Sequence, residues 1–97
     1  MIYTIEEIKD RSVPVARQYG IKRMNLFGSY ARGDASKDSD IDIYIDRGQL
    51  KSLIQYFSFV QELEKRFGCH VDVVTTGIED REFLEKISRE GVLLYEE

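Results

Sequence analysis

Residues Met24–Asp46 have the sequence M-N-L-F-G-S-Y-A-R-G-D-A-S-K-D-S-D-I-D-I-Y-I-D, and this stretch decides the fold of the 97-residue chain. Its pattern predicts a strand, a sharp turn at Gly28-Ser29, a polar loop and a second strand. The second strand starts with Asp40 and Asp42, which share one face because alternate side chains of a strand point the same way. Neighbouring like charges cost stability unless a cation lies between them. The stretch therefore predicts a divalent metal site.

The turn at Gly28 and Ser29 is suited to binding phosphate. A short apolar run that includes Leu26 and Phe27 stops at Gly28, and a glycine lets the backbone approach a ligand closely. The residues that follow can open a helix whose first amide groups point outward, and such amide groups bind phosphate. Together with the paired carboxylates, this turn predicts a site for a nucleoside triphosphate with magnesium.

The combined pattern resembles that of the DNA polymerase β-type nucleotidyltransferase superfamily. Gly28-Ser29 is followed 11 positions after the serine by Asp40-Ile41-Asp42, and later by an isolated acid, Asp72, in the apolar run V-D-V-V. The longer string Phe27–Asp42 is similar to that of the minimal nucleotidyltransferases (MNT), which are antitoxins paired with HEPN-domain toxins. The resemblance extends from the N-terminal helix to the last strand, and it implies a polymerase β-like nucleotidyltransferase fold.

The resemblance also implies a role for each of these residues. Asp40, Asp42 and Asp72 would be the catalytic acids and the ligands of two Mg²⁺ ions, and Asp72 would help to deprotonate the nucleophile. Gly28 and Ser29 would bind the β- and γ-phosphates of ATP, the nucleotide substrate.

Four other polar residues beside these motifs have roles that the sequence leaves open. Ser39 either binds a phosphate or caps the loop. Arg32 either contacts phosphate or pairs with a nearby acid, and the structural role is slightly favoured. Cys69 and His70 point to opposite faces of a strand, and no second pair completes a zinc site. We expect Cys69 to be buried and His70 to be exposed on the face of Asp72.

The composition predicts one globular domain, residues 1–97, that acts in the cytoplasm. Hydrophobic residues make up 42% of the chain and charged residues 33%. No apolar run is long enough to span a membrane, and the first residues lack a signal peptide's features. The single cysteine excludes an internal disulfide. A formal net charge of −4 argues against stable nucleic-acid binding, and could steer the chain to a basic partner protein.

The periodicity predicts the element order αβαβαβαβ, which favours an α/β (α+β) fold with a small mixed β-sheet and flanking helices. Pro14 predicts a kinked first helix or two short helices, the second of them capped by Ser12. The fourth helix is predicted to begin at Glu79 or Asp80, with an inward face formed by Phe83, Leu84 and Ile87.

The third helix, predicted over residues 50–67, has a regular apolar pattern. Its predicted buried stripe consists of Leu53, Phe57, Val60, Leu63 and Phe67. Phe59 lies off this stripe, so we expect it at the surface, where it would point to a protein interface.

These features favour one function and leave two alternatives open. The resemblance implies transfer of AMP from ATP to a tyrosine hydroxyl of a cognate HEPN ribonuclease toxin, so that the chain acts as the antitoxin by AMPylation and can form a hetero-oligomer with the toxin. Ninety-seven residues leave no room for a second domain to hold another acceptor. The first alternative is a binding module that neutralises the toxin by steric occlusion. The second is a nucleotidyltransferase acting on a small-molecule or RNA hydroxyl.

Overall fold

The computed structural model describes residues 2–75 and 81–97, without the side chains of Arg81, Phe83 and Leu84. Helices and strands alternate in the predicted order: α1 (Ile5–Tyr19), β1 (Arg23–Phe27), α2 (Gly28–Arg32), β2 (Ile41–Asp46), α3 (Leu53–Phe67), β3 (Val71–Thr75), α4 (Arg81–Glu90) and β4 (Val92–Glu96). The predicted helix start at Glu79 or Asp80 and the inward position of Phe83 and Leu84 lie outside the described residues, whereas Ile87 is buried as predicted. Across the described residues, no helix has both the length and the apolar character needed to cross a bilayer.

The four strands form one mixed sheet in the order β3-β2-β1-β4. Strand β1 pairs antiparallel with β2 and β4, whereas β2 and β3 are parallel and are connected through α3. In β2 the buried side chains alternate with half-buried ones, because three isoleucines face the core and the residues between them face the opposite side. The predicted small mixed sheet with flanking helices is confirmed, and the alternation turns Asp42 away from the core.

Helix α1 continues through Pro14, so of the two predicted outcomes, a kinked helix or two short helices, the second was wrong. Pro14 is exposed and costs the helix one backbone hydrogen bond, while Ile8, Val15 and Ala16 on the opposite side are fully buried. Burial of this apolar side offsets the local loss. Ser12 caps no second helix, since its hydroxyl donates to the Ile8 carbonyl at 2.7 Å inside the same helix.

The residues at the beginning of the described chain tie down the end of α3. Tyr3 is buried, its hydroxyl donates to the Phe67 carbonyl, and the two rings meet edge to face at 5.3 Å. The Arg11 guanidinium lies 4.9 Å from the centre of the Tyr3 ring and donates to the Arg66 carbonyl at 2.8 Å. These contacts fix the turn that leads from α3 into β3.

The buried side of α3 is Phe59, Leu63 and Phe67, and the predicted stripe was wrong at its beginning. Phe59 is fully buried and packs edge to face on Tyr19 of α1 at 5.6 Å, whereas Leu53 and Phe57 are 73% and 58% exposed. The helix contacts α1 as well as the sheet. Because α3 packs on α1, the face that carries Phe59 is the buried one. Phe59 is therefore part of the core and does not point to an interface.

Replacing Phe59 with alanine is expected to lower the free energy of unfolding by about 3–5 kcal/mol, because it empties a fully buried aromatic position. Phe57→Ala makes the same chemical change two residues away at an exposed site and is expected to cost less than about 0.5 kcal/mol. Urea denaturation followed by circular dichroism measures both values. Equal losses in the two variants would contradict the assignment of the buried face.

Candidate active site

The parallel pairing of β2 and β3 brings the predicted acids together. Asp42 is the register partner of Asp72, and their carboxyl groups are in hydrogen-bond contact. Asp40 lies immediately before β2, and its charge acts on Asp42. Ligand atoms of Asp40, His70 and Asp72 all lie within 4.8 Å of one another. The structure thus gathers three carboxylates and one imidazole at the start of two neighbouring strands.

The glycine of the predicted phosphate turn lies against this acid cluster. Gly28 follows Phe27, which is the register partner of Asp42 in the antiparallel pair of β1 and β2. Gly28 has a φ of +74°, and a Cβ atom added there would lie 2.3 Å from Oδ2 of Asp42. Only a bare backbone fits both the conformation and the space. Ser29 is the second residue of α2, a helix that no side chain caps at its N-terminus.

Asp42 is the carboxyl group whose protonation the fold changes most clearly. Its pKa is raised to about 6, first by burial, then by the charges of Asp72 and Asp40 and by the hydrogen bond with Asp72, whereas the charge of Arg32 acts in the opposite sense. The neighbouring negative charges disfavour the ionised form of Asp42, and a bound cation would stabilise that form. Because hard oxygen donors are the ligands of Mg²⁺, the residues present fit a divalent cation.

His70 connects the acid cluster to helix α3. Its Nε2 is 2.7 Å from Oδ1 of Asp72, and its Nδ1 is 3.0 Å from Oε2 of Glu64. The ring is exposed and shares the face of Asp72, as predicted. The hydrogen bond with Asp72 and the surrounding carboxylates raise the pKa of His70. Glu64 was not predicted, because its position on α3 matches no local motif and only the turn after α3 brings it to His70.

Cys69 is half-buried rather than fully buried. Burial, followed by the charges of Asp40 and Glu64, raises the pKa of its thiol. Because the thiolate is the reactive form of cysteine, this environment opposes a nucleophilic role for Cys69.

Arg32 and Ser39 both make local contacts that hold the loop between α2 and β2. Arg32 Nε is 3.3 Å from Oδ2 of Asp34. The Ser39 hydroxyl accepts the Ser36 backbone N–H at 2.8 Å, and the Ser39 N–H donates to the Ser36 carbonyl at 3.0 Å. For both residues these contacts favour the structural one of the two predicted roles.

A groove of about 140 Å³ runs beside Gly28, between α2 and α4. Lys86 of α4 lines it together with Arg32, so two cationic side chains lie near the glycine turn. Lys86 was not predicted, because only the packing of α4 against α2 and β1 brings it here. A larger cavity of about 260 Å³ lies at the other end of β2 beside Arg47 and Thr75, and none of the three acids lines it.

Without metal, Asp42→Asn is expected to become progressively more stable than the wild-type chain as the pH rises from about 4 to 6. The folded chain raises the pKa of Asp42 from 3.8 to about 6, so this residue's contribution to stability is present below pH 3.8 and is lost as pH rises through 6. Melting temperatures measured in a chelator test this difference at each pH. A constant difference from pH 4 to 7 would contradict the electrostatic account of Asp42.

Residues 11–97 match the model of a family described as Polymerase beta, Nucleotidyltransferase. The chain belongs to the polymerase beta nucleotidyltransferase family. One relative of this nucleotidyltransferase is a Methanocaldococcus jannaschii protein provisionally named a protein adenylyltransferase, which is 44% identical over 71 residues, or 73% of this chain and 76% of that protein. Protein adenylyltransferase MntA of Thermococcus cleftensis is 35% identical over 75 residues, with the same two shares covered.

Solved structures share the fold of this nucleotidyltransferase. One, provisionally described as a minimal nucleotidyltransferase, superposes with a TM-score of 0.78 at 28% identity, over 93% of this chain and 95% of the other. A toxin–antitoxin complex with AMP-PNP gives 0.77 at 22% identity over 92% and 73%. A tri-AMPylated Shewanella oneidensis HEPN toxin in complex with its MNT antitoxin gives 0.72 at 19% identity over 97% and 74%. The predicted family and fold are confirmed.

Proposed function

We propose that residues 1–97 form a single minimal nucleotidyltransferase domain that transfers AMP from ATP to a hydroxyl group of a partner protein in the cytoplasm. The acceptor is a tyrosine of a cognate HEPN-type toxin, and the transfer makes the chain an antitoxin. Two comparisons support this proposal. A relative of matching length is named protein adenylyltransferase MntA, and a structure of the same fold holds an AMPylated HEPN toxin with its MNT antitoxin.

One observation carries the proposal for this chain. Asp42 and Asp72 are register partners on parallel strands, and the bare backbone of Gly28 lies directly against Asp42. Nucleotidyl transfer requires two parts: carboxylates that hold a metal, and a backbone turn that binds phosphate.

Each residue then has a definite role in the transfer. Asp40, Asp42 and Asp72 would hold two Mg²⁺ ions, which would supply Lewis-acid stabilisation of the phosphate oxygens and would lower the pKa of the acceptor hydroxyl. The backbone of Gly28 and Ser29 binds the β- and γ-phosphates. The acceptor oxygen forms a bond to the α-phosphorus, and the bond from that phosphorus to the bridging oxygen of the leaving pyrophosphate breaks.

The site contains a carboxylate that can accept the proton of the acceptor hydroxyl. The Asp72 side chain is 51% exposed to solvent, whereas Asp42 is half-buried. We therefore assign Asp72 as the group that accepts the proton at a carboxylate oxygen.

The test is intact-mass spectrometry of the presumed operon partner after incubation with this chain, ATP and Mg²⁺. The expected result is a partner heavier by one or more AMP groups, with no gain when Asp42→Asn replaces the wild-type chain. Peptide mapping then identifies the modified residue. A stable complex whose partner gains no mass would overturn the transfer to that partner.

A second candidate function is neutralisation by steric occlusion, and one observation favours it. Leu53, Ile54 and Phe57 at the start of α3 are all more than half exposed, and such apolar groups are typical of surfaces that bind a protein. The double change Asp40→Asn with Asp42→Asn separates the two functions. Loss of neutralisation with binding intact supports transfer, whereas unchanged neutralisation supports occlusion.

A further inference from the structure

We propose that His70 is a metal ligand, and that with Asp40 and Asp72 it gives this site a preference for a divalent transition-metal ion over Mg²⁺. The inference rests on the proposed function, because it concerns the metal of the same site. It adds a nitrogen ligand to a set that the family resemblance describes as three aspartates.

The first support is the position of the imidazole among the carboxylates. Ligand atoms of His70, Asp40 and Asp72 lie within 4.8 Å of one another, so one cation placed between them can reach all three after small side-chain movements. The Nε2 atom is already 2.7 Å from Oδ1 of Asp72. All three side chains are exposed, so an ion can enter from solvent.

The second support is the contact on the far side of the ring. A histidine that binds a metal through one nitrogen usually donates the other N–H to a carboxylate, which fixes the tautomer and the ring orientation. Here Nδ1 is 3.0 Å from Oε2 of Glu64. That same oxygen accepts the Val71 backbone N–H at 3.2 Å, so Glu64 is itself held in place. In the metal-free chain the Nε2–H donates to the Asp72 carboxylate. Because the Nδ1 proton is directed at Glu64, release of the Nε2 proton would leave the Nε2 lone pair facing a bound cation.

The donor set decides the class of metal. Mg²⁺ takes oxygen ligands almost exclusively, in a strict octahedral geometry with several waters. Imidazole nitrogen suits divalent transition metals such as Fe²⁺, Ni²⁺ and Zn²⁺, and Mn²⁺ is the one most like Mg²⁺ in its preference for oxygen, which makes it the strictest test. An imidazole added to the carboxylates of this site therefore raises its affinity for a transition-metal ion more than its affinity for Mg²⁺. Mn²⁺ is the suitable probe because its binding and its ligands are both visible by electron paramagnetic resonance.

The experiment uses the untagged full chain, since His70 is its single histidine and any imidazole signal must come from it. Pulsed electron paramagnetic resonance of the Mn²⁺-loaded chain is expected to show coupling to a directly bound imidazole nitrogen, and His70→Gln to abolish it. Titration of free Mn²⁺ is expected to give a dissociation constant at least about tenfold higher for His70→Gln. Competition with Mg²⁺ is expected to show a much smaller change in Mg²⁺ affinity.

A matched pair on α3 tests the carboxylate behind the ring. Glu64→Gln is expected to weaken Mn²⁺ binding about tenfold through the orientation of His70. Glu62→Gln makes the same change on the same helix, where the side chain pairs with Arg66 at 3.3 Å instead, and is expected to leave Mn²⁺ binding unchanged.

Each outcome bears on one of the two proposals. Bound Mn²⁺ without nitrogen coupling in the wild-type chain, or no Mn²⁺ binding at all, overturns the role of His70, and this result needs no variant to fold. Equal Mn²⁺ affinity in folded His70→Gln also overturns it and leaves His70 as a hydrogen-bond partner of Asp72. If AMP transfer with Mg²⁺ is nevertheless observed, the proposed function stands. If nitrogen coupling is observed but no AMP transfer occurs, the proposed function is overturned and the assignment of His70 as a metal ligand stands.

Discussion

Asp42→Asn is expected to reduce AMP transfer about a thousandfold, which corresponds to about 4 kcal/mol of transition-state stabilisation. Asparagine has the same shape as aspartate, but it removes the charge that we assign to metal binding. The side chain faces away from the core, so the fold is retained. The rate of partner modification at saturating ATP and Mg²⁺ measures the loss, and circular dichroism verifies folding.

Asp46→Asn is the matched control for this change. Asp46 lies at the other end of the same strand on the same face, opposite Arg23 and away from the acid cluster. We expect its rate of transfer to remain close to that of the wild-type chain. Similar losses in both variants would mean that β2 tolerates no change of charge, and the assignment of Asp42 to metal binding would fail.

Gly28→Ala is expected to lower AMP transfer at least about a hundredfold, because a displacement of about 1 Å in a reacting group can cost that much. The added methyl carbon would lie 2.3 Å from Oδ2 and 3.1 Å from Cγ of Asp42, so the carboxylate or the turn must move. The left-handed backbone adds a cost of about 1–2 kcal/mol to the free energy of unfolding. Rate measurements and urea denaturation on the same preparation separate the two effects.

Gly33→Ala distinguishes the clash from the backbone cost. Gly33 also has a left-handed φ, +84°, but a methyl group there meets nothing within 4 Å. This variant should lose a similar free energy of unfolding through the backbone and keep its activity. If Gly33→Ala lost as much activity as Gly28→Ala, loop flexibility rather than contact with Asp42 would explain both.

The sequence predicted the element order and the mixed sheet, because these follow from local patterns, whereas the meeting of Asp72 with Asp40 and Asp42 was implied only by the family resemblance. The alternation of Ile and Asp in β2 determines which face carries Asp42, whereas the parallel pairing that brings Asp72 beside it depends on the strand order of the sheet, which no local pattern specifies. The inference about Asp42 needs only the two-residue period of a strand.

The face of α3 could not be predicted, since it depends on a contact between distant segments. Seven large apolar residues in this helix cover more than one stripe, so its period alone does not decide between Phe57 and Phe59. Contact with Tyr19 decides it. The same limit applies to the site, because Glu64 and Lys86 reach it only through tertiary packing.

The contact between Tyr3 and the end of α3 involves residues that precede the part of the chain matched by the family model. The family model begins at residue 11, so a protein trimmed to that limit would keep every proposed catalytic residue. It would nevertheless lose Tyr3 and Ile8 from the core, and the Phe67 carbonyl would lose its hydroxyl donor. The segment that carries His70 and Asp72 follows Phe67 directly. Tyr3 and Ile8 therefore act as an anchor for the segment that carries half of the catalytic cluster.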